Sequence, residues 1–203
     1  MSKAGDVFEN PVTGEFGYVR VGSDKTNGEL VISDLRLRPG AAAIGPHIHP
    51  QADERFTAVK GKLGYLLGDQ KLILEAGESM EIPRGTVHDF WNAGEEEARV
   101  VVEMRPGARM ELMIRTMFAL AHEGKTNEKG MPGLLQMALI SREFDDVLQM
   151  MSPPPVVQRV LYGLLAPLAR LIGYLAIYPH HEKIKMGTMA VEPLPEGMLI
   201  PAV

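Results

Sequence analysis

The tripeptide His47-Ile48-His49, with Glu54 and His88 further along, holds the side chains of this sequence best suited to chemistry. On a β-strand, residues i and i+2 point to the same face, so His47 and His49 can aim two imidazoles at one point. Glu54 lies at an odd offset from both. A strand continued without interruption would turn it to the other face, so a turn or bulge is expected across Pro50 to Asp53. His88 brings a third imidazole on a later segment, Gly77 to Asn92, which only a folded sheet could carry to the first two. The chain has no cysteine, so any transition-metal site must be built from His, Asp and Glu.

The spacing is more specific than the residue types. His47-x-His49-x4-Glu54-x6-Gly61 and Gly77-x5-Pro83-x-Gly85-x2-His88-x3-Asn92 resemble the two motifs of the cupin superfamily, G-x5-H-x-H-x3,4-E-x6-G and G-x5-P-x-G-x2-H-x3-N. The second matches at every defined position and the first from His47 to Gly61. The one departure is the leading glycine: Gly40 stands one residue early, with Ala41 in its place, which touches a turn and none of the ligands. The resemblance implies a barrel whose lumen holds one divalent metal ion on His47, His49, Glu54 and His88. Imidazoles and a carboxylate suit Fe, Mn, Ni, Cu or Zn, and four protein ligands leave up to two octahedral positions for water, substrate or O2. A histidine titrating near about 6.5 is mostly neutral at pH 7 and able to ligate. The competing reading is four polar residues each hydrogen-bonded where it sits. A buried unsatisfied polar group costs about 1–3 kcal/mol, so four of them converging in a barrel need a common partner.

The elements that must position these groups follow from the hydrophobic pattern. Short apolar runs at Phe16–Val21, Leu30–Leu37, Phe56–Val59, Leu63–Leu67, Leu72–Leu74, Ser79–Ile82 and Val100–Met104 are separated by turn residues such as Lys60-Gly61 and Ala76-Gly77. Many short strands at close spacing indicate a sandwich or small barrel, and the resemblance implies an antiparallel, jelly-roll-type barrel. After Arg105-Pro106-Gly107 the period changes to that of helices, expected over roughly 108–123, 133–150 and 156–175. The fold class is thus mainly β: a barrel domain over residues 1–106, then a helical extension over 107–203, packed on the barrel or on a second subunit. The tail beyond Lys185, rich in Pro, Gly and Met, is expected to be loosely held.

Val156 to Tyr178 is apolar enough to need a membrane test. Arg170 near its centre would cost about 2.5–3.5 kcal/mol to insert. Val157, Val160, Leu161, Leu164, Leu168, Leu171, Ile172 and Leu175 recur at helical spacing, opposite Arg159, Gly163, Ala166 and Arg170. The pattern is an amphipathic helix whose apolar face packs against the protein or a second subunit, a membrane surface being the alternative, with a kink expected at Pro167.

Other residues carry weaker signals. Phe90 should line the lumen, with Trp91 pointing outward onto the helices. Tyr65 and Glu103 are either acid–base groups beside the site or ordinary strand residues, the second being the default. Arg84 is expected to be exposed and His122 to close a helix; His180-His181 is either a solvated helix end or a second metal site, the first being the default because adjacent side chains diverge. Thirteen methionines form either ordinary core or the roof of a pocket for a flexible apolar ligand.

A net charge of -5 leaves no basic footprint for nucleic acid. No P-loop, dinucleotide fingerprint or Gly-x-Ser-x-Gly elbow is present. Met1 to Asp6 lead into no apolar targeting run, so a cytoplasmic location is expected. The resemblance implies a mononuclear metal enzyme acting on a small organic molecule, dioxygenase-like, with Glu54 as the ligand able to shift and accept a proton. The alternatives are a ligand-binding or sensing protein without turnover, and a metal-dependent isomerase or lyase. It also implies a homodimer.

Overall fold

The computed structural model describes residues 2–42, 44–184 and 186–198. In chain order the elements are β1 (Val7–Glu9), β2 (Phe16–Val21), the one-turn helix α1 (Ser23–Thr26), β3 (Val31–Leu37), β4 (His47–Ile48), β5 (Asp53–Lys60) and β6 (Lys62–Leu67). Then come β7 (Gln70–Glu75), β8 (Ser79–Ile82), β9 (His88–Asn92), β10 (Ala98–Arg105), α2 (Ala108–His122), α3 (Leu134–Glu143), β11 (Gln149–Met150) and α4 (Pro155–Leu171). A short 3-10 helix spans Pro179–Lys183. The strands form two antiparallel sheets, ordered β1-β2-β3-β10-β5-β8 and β11-β4-β9-β6-β7. The mainly β architecture with helices after it is the one expected.

Alternation along the strands explains the two layers. On β10, Val100, Val102 and Met104 face inward, Val100 opposite Ala58 and Val102 opposite Phe56 of β5. Leu37, Leu63, Leu74, Ile82 and Ala98 complete this apolar interior. The opposite face of β10 carries Val101, which packs with Leu30, Ile32 and Val59 under Leu194 and Met198 of the tail. At roughly 25 cal/mol per Å2 of apolar surface removed from water, these inward side chains supply most of the force that closes the barrel. Gly61 sits at φ 76° in the β5–β6 turn, where its built Cβ would lie 3.0 Å from Ala98 Cα, so both conformation and space select glycine.

Several expectations need correction. The helix expected over 133–150 ends at Glu143, and Gln149–Met150 instead pairs antiparallel with Ile48 and His47, extending the sheet that bears the histidines. The tail is docked: Thr188 bridges Asp6, and the Glu192 carbonyl accepts a hydrogen bond from Arg20. The last residues, 199–203, lie outside the described residues.

Within the single chain the leucine stripe of α4 has no partner among the described residues, which leaves, of the two expected surfaces, a second subunit. The helix packs through Gln158, Ala166 and Ala169, the small residues bringing it close to Ala138 and Leu139 of α3. The leucine stripe faces solvent, with Leu164 73% and Leu171 84% exposed. Periodicity reveals an apolar face, but close helix approach favours alanine, and here the alanine side won. No helix among the described residues is long and apolar enough to cross a membrane.

Candidate metal centre

Each sheet supplies part of the site. His47 on β4 is the direct cross-strand partner of His88 on β9, and their rings lie 4.3 Å apart between centroids. His49 follows one residue after β4, with its ring 5.0 Å from His47 and 5.1 Å from His88. Glu54 belongs to β5, in the other sheet, where it pairs with Met104 and Ile82. The odd offset of Glu54 from the histidines thus has a simple origin. Pro50 to Ala52 carry the chain from one sheet to the other, and inner-face residues of two facing sheets point at each other. All four side chains are buried.

The orientation of the rings is set by their outer nitrogens. His47 Nδ1 lies 2.8 Å from the Gly45 carbonyl, His88 Nδ1 2.9 Å from the Thr86 carbonyl, and His49 Nδ1 2.8 Å from the Val147 carbonyl. A carbonyl can only accept, so each Nδ1 carries the hydrogen and each neutral ring presents its Nε2 lone pair inward. Three nitrogens of this set lie within 4.8 Å of one another. Glu54 Oε2 stands 3.0 Å from His88 Nε2 and 3.6 Å from His49 Nε2. Neither Glu54 Oε2 nor His88 Nε2 has a hydrogen-bond partner among the described residues.

Electrostatics repeat the geometry. Burial pushes the His47 imidazole down to about 4, assisted by His88 and His49. Burial acts the same way on His49, yet the Glu54 carboxylate and the Val147 carbonyl override it, and its pKa is raised. Burial alone would raise Glu54, but the His49 and His88 rings against it hold its carboxyl well below the usual range. Two buried acceptors facing each other at 3.0 Å need a positive charge between them. A divalent cation fits this donor set: three borderline imidazoles and one anionic oxygen, with the rings already oriented by carbonyls.

The centre opens on a cavity of about 1130 Å3. Its wall beside the ligands follows from the strand alternation and is apolar: Phe56 two residues beyond Glu54, Phe90 two beyond His88, and Val102 and Met104 facing them on β10. Met110, Met113 and Met117 of α2 line it further out, as a methionine roof requires. Phe90 therefore lies where expected, 5.0 Å from Phe56 between ring centroids. Tyr65 also faces inward, opposite Phe90. Glu103 does not reach the lumen: it shares the outer face with Val101, near Arg55. Trp91 points outward as expected but packs over Gly64 and beneath Lys71 rather than on the helices. The motif's last residue, Asn92, is structural, its amide donating to the Leu37 and Glu96 carbonyls while its oxygen accepts from Gly94. Arg84 is exposed and holds Asp53. His122 closes α2 with its Nε2 3.1 Å from the Glu9 carbonyl.

The sequence reading missed two features. Val147, 98 residues from His49, orients the His49 ring from the helical extension. His180 and His181 do not diverge as a solvated helix end: His181 is buried, and both rings turn toward Glu123.

Comparison with known proteins agrees with the geometry. Residues 33–104 match the family model described as the cupin domain. Oxalate oxidase 1 of Hordeum vulgare is 34% identical over 129 residues, covering 50% of this chain and 61% of that protein. Germin-like protein subfamily T member 2 of Arabidopsis thaliana is 35% identical over 77 residues, covering 36% and 34% respectively. This chain thus spans less than two thirds of the length of either relative. The solved structure of KdgF from Halomonas sp. aligns with a TM-score of 0.44 at 21% identity, over 49% of this chain and 86% of that one.

Proposed function

Since residues 33–104 belong to the cupin superfamily, we propose that this chain is a mononuclear metal-dependent enzyme acting on a small, largely apolar organic molecule, in the manner of a dioxygenase. The observation that carries this reading is the set of three buried imidazoles whose Nδ1 atoms are tied to carbonyls and whose Nε2 atoms converge beside Glu54. A divalent ion held by His47, His49, His88 and Glu54 would supply Lewis acidity or one-electron chemistry with O2.

The chain's own residues supply the rest. The apolar wall of Phe56, Phe90, Val102 and Met104 excludes water and takes up apolar substrate surface next to the ligands. Glu54, ionised and facing that space, is the group able to take a proton from an enol or hydroxyl brought within hydrogen-bond reach. Oxalate, the molecule named for the barley relative, is a small dianion and matches this wall poorly. An enol on an aromatic or aliphatic frame matches it better.

The test is purification with metal analysis, then O2 uptake with flavonols, related enols and oxalate. Metal in the protein and O2 uptake with an apolar enol are expected. A metal-loaded protein that takes up no O2 with any of them would overturn the dioxygenase reading. One observation favours a second reading, a ligand-binding protein without turnover: the wall next to the four residues, Phe56, Phe90, Val102 and Met104, carries no acid or base. An apolar molecule extracted from the purified protein and recovered unchanged after incubation would support it.

The solvent-facing leucine stripe of α4 fits a homodimer, in which a second copy covers Val160, Leu164, Leu168 and Leu171. The cysteine-free composition fits the reducing cytoplasm.

A further inference from the structure

Apart from the barrel centre, Glu123, His180 and His181 bring one carboxylate and two imidazoles together. Glu123 is the C-terminal cap of α2, and the two histidines lie in the 3-10 helix Pro179–Lys183, His180 being 57 residues further along the chain. Neighbouring residues on an extended strand or long helix would aim their rings apart. Here the tight 3-10 turn sets the rings edge to face, with centroids 4.7 Å apart and planes at 80°. Their Nε2 atoms meet the same oxygen: His180 at 2.7 Å and His181 at 3.5 Å from Glu123 Oε1. All three donor atoms lie within 4.8 Å of one another.

His181 makes this more than a surface cluster. Its side chain is 2% exposed, and neither ring nitrogen has a hydrogen-bond partner among the described residues. A buried imidazole left so is destabilising unless something binds it. The ring is held in place by Tyr178, 5.0 Å away between centroids. Lys125 sits on the other carboxylate oxygen, 2.8 Å from Oε2, which leaves Oε1 to the histidines.

We propose that Glu123, His180 and His181 form a second divalent transition-metal site, of the kind zinc occupies, clipping the end of α2 to the segment that leads into the C-terminal tail. Two imidazoles and one carboxylate are three of the four tetrahedral ligands zinc takes, and the exposed side of His180 leaves the fourth to water. The clip is structural. Beyond it the chain runs along β1 and over the outer face of the barrel, so a bound ion would order the last stretch of the described chain.

The test is calorimetric titration of Zn2+ into the chelator-stripped full chain, with His180→Ala and His88→Ala alongside. His180 is exposed, so removing it leaves the fold intact, as circular dichroism would verify. Two equivalents are expected in the wild type, one in His180→Ala, one in His88→Ala, and none in the double variant. Zinc should also slow proteolysis of the tail in the wild type and in His88→Ala, but not in His180→Ala. If zinc binding is the same in His180→Ala as in the wild type, or if His88→Ala binds no zinc, the second site does not exist. Because the two sites are read in separate variants, a failure of the barrel centre would leave this test intact.

Discussion

Replacing Glu54 by glutamine removes the only negative charge among the four proposed ligands while keeping their shape. In the metal-free protein Glu54 Oε2 is 3.6 Å from His49 Nε2, where an effective dielectric near about 20 puts the attraction between imidazolium and carboxylate at about 4–5 kcal/mol. Desolvating both groups takes back much of this, leaving a net contribution of about 1–3 kcal/mol. The sign with pH follows from the two shifts. Glu54 is depressed below its ordinary 4.5, so its share is present above pH 4.5 and is lost as pH falls. His49 is raised above its ordinary 6.5, so its share is present below pH 6.5 and is lost as pH rises through the raised value. The stability difference between wild type and Glu54→Gln is therefore greatest between about pH 4.5 and 6.5. His47, which titrates near 4 and loses stability on acidification, is present in both proteins and drops out of the comparison to first order. The assay is urea denaturation of chelator-stripped proteins across pH, with ring resonances of His49 followed by nuclear magnetic resonance. In the variant His49 should titrate below 6.5, since burial then acts without the carboxylate. Metal affinity should fall by at least about 100-fold, the upper end of what losing an outer partner costs. A stability difference that is flat with pH, or a His49 that titrates unchanged, would refute the pairing of Glu54 with the histidine cluster.

Three further outcomes are expected. Phe144→Ala empties a buried site next to Val147 and should cost about 3–5 kcal/mol. By loosening the carbonyl that orients His49 it should also weaken metal binding by about 10–100-fold, and unchanged affinity in the folded variant would show that the extension does not support the centre. Leu164→Glu with Leu171→Glu should convert a dimer to a folded monomer in light scattering, because both side chains face solvent in the single chain; a monomeric wild type would end the homodimer reading. Asp34→Ala should lower stability by about 3–5 kcal/mol in thermal or urea melts, since fully buried Asp34 holds Arg20 and Arg99 at 2.8 Å each and accepts from Tyr18; a loss below about 1 kcal/mol would contradict that role.

Much of the barrel and its centre was legible because both rest on local spacing. His47 and His49 are two residues apart, and a strand's period of two puts them on one side. The Pro83-Arg84-Gly85 turn marks the entry to the strand that carries His88. What spacing could not show is which distant backbone completes each ring. The Val147 carbonyl becomes a partner of His49 only because β11 adds to β4, and nothing in Gln149-Met150 alone signals a strand. Which face of α4 meets α3 was not legible for a related reason: periodicity separates leucines from small residues but does not say which set another helix will meet. Ala166 and Ala169 allow the closer approach. The Glu123, His180 and His181 cluster was hidden because adjacent histidines diverge in regular structure and converge here in a 3-10 turn.

The most direct measurement is anomalous diffraction from crystals of the metal-loaded protein, recorded at the absorption edge of the ion found by metal analysis. The principal peak in the barrel should lie about 2.0–2.2 Å from the Nε2 atoms of His47, His49 and His88, with a Glu54 oxygen within the same reach. A barrel with no peak between these residues, or an ion bound through Nδ1 after the rings have left their carbonyls, would contradict it.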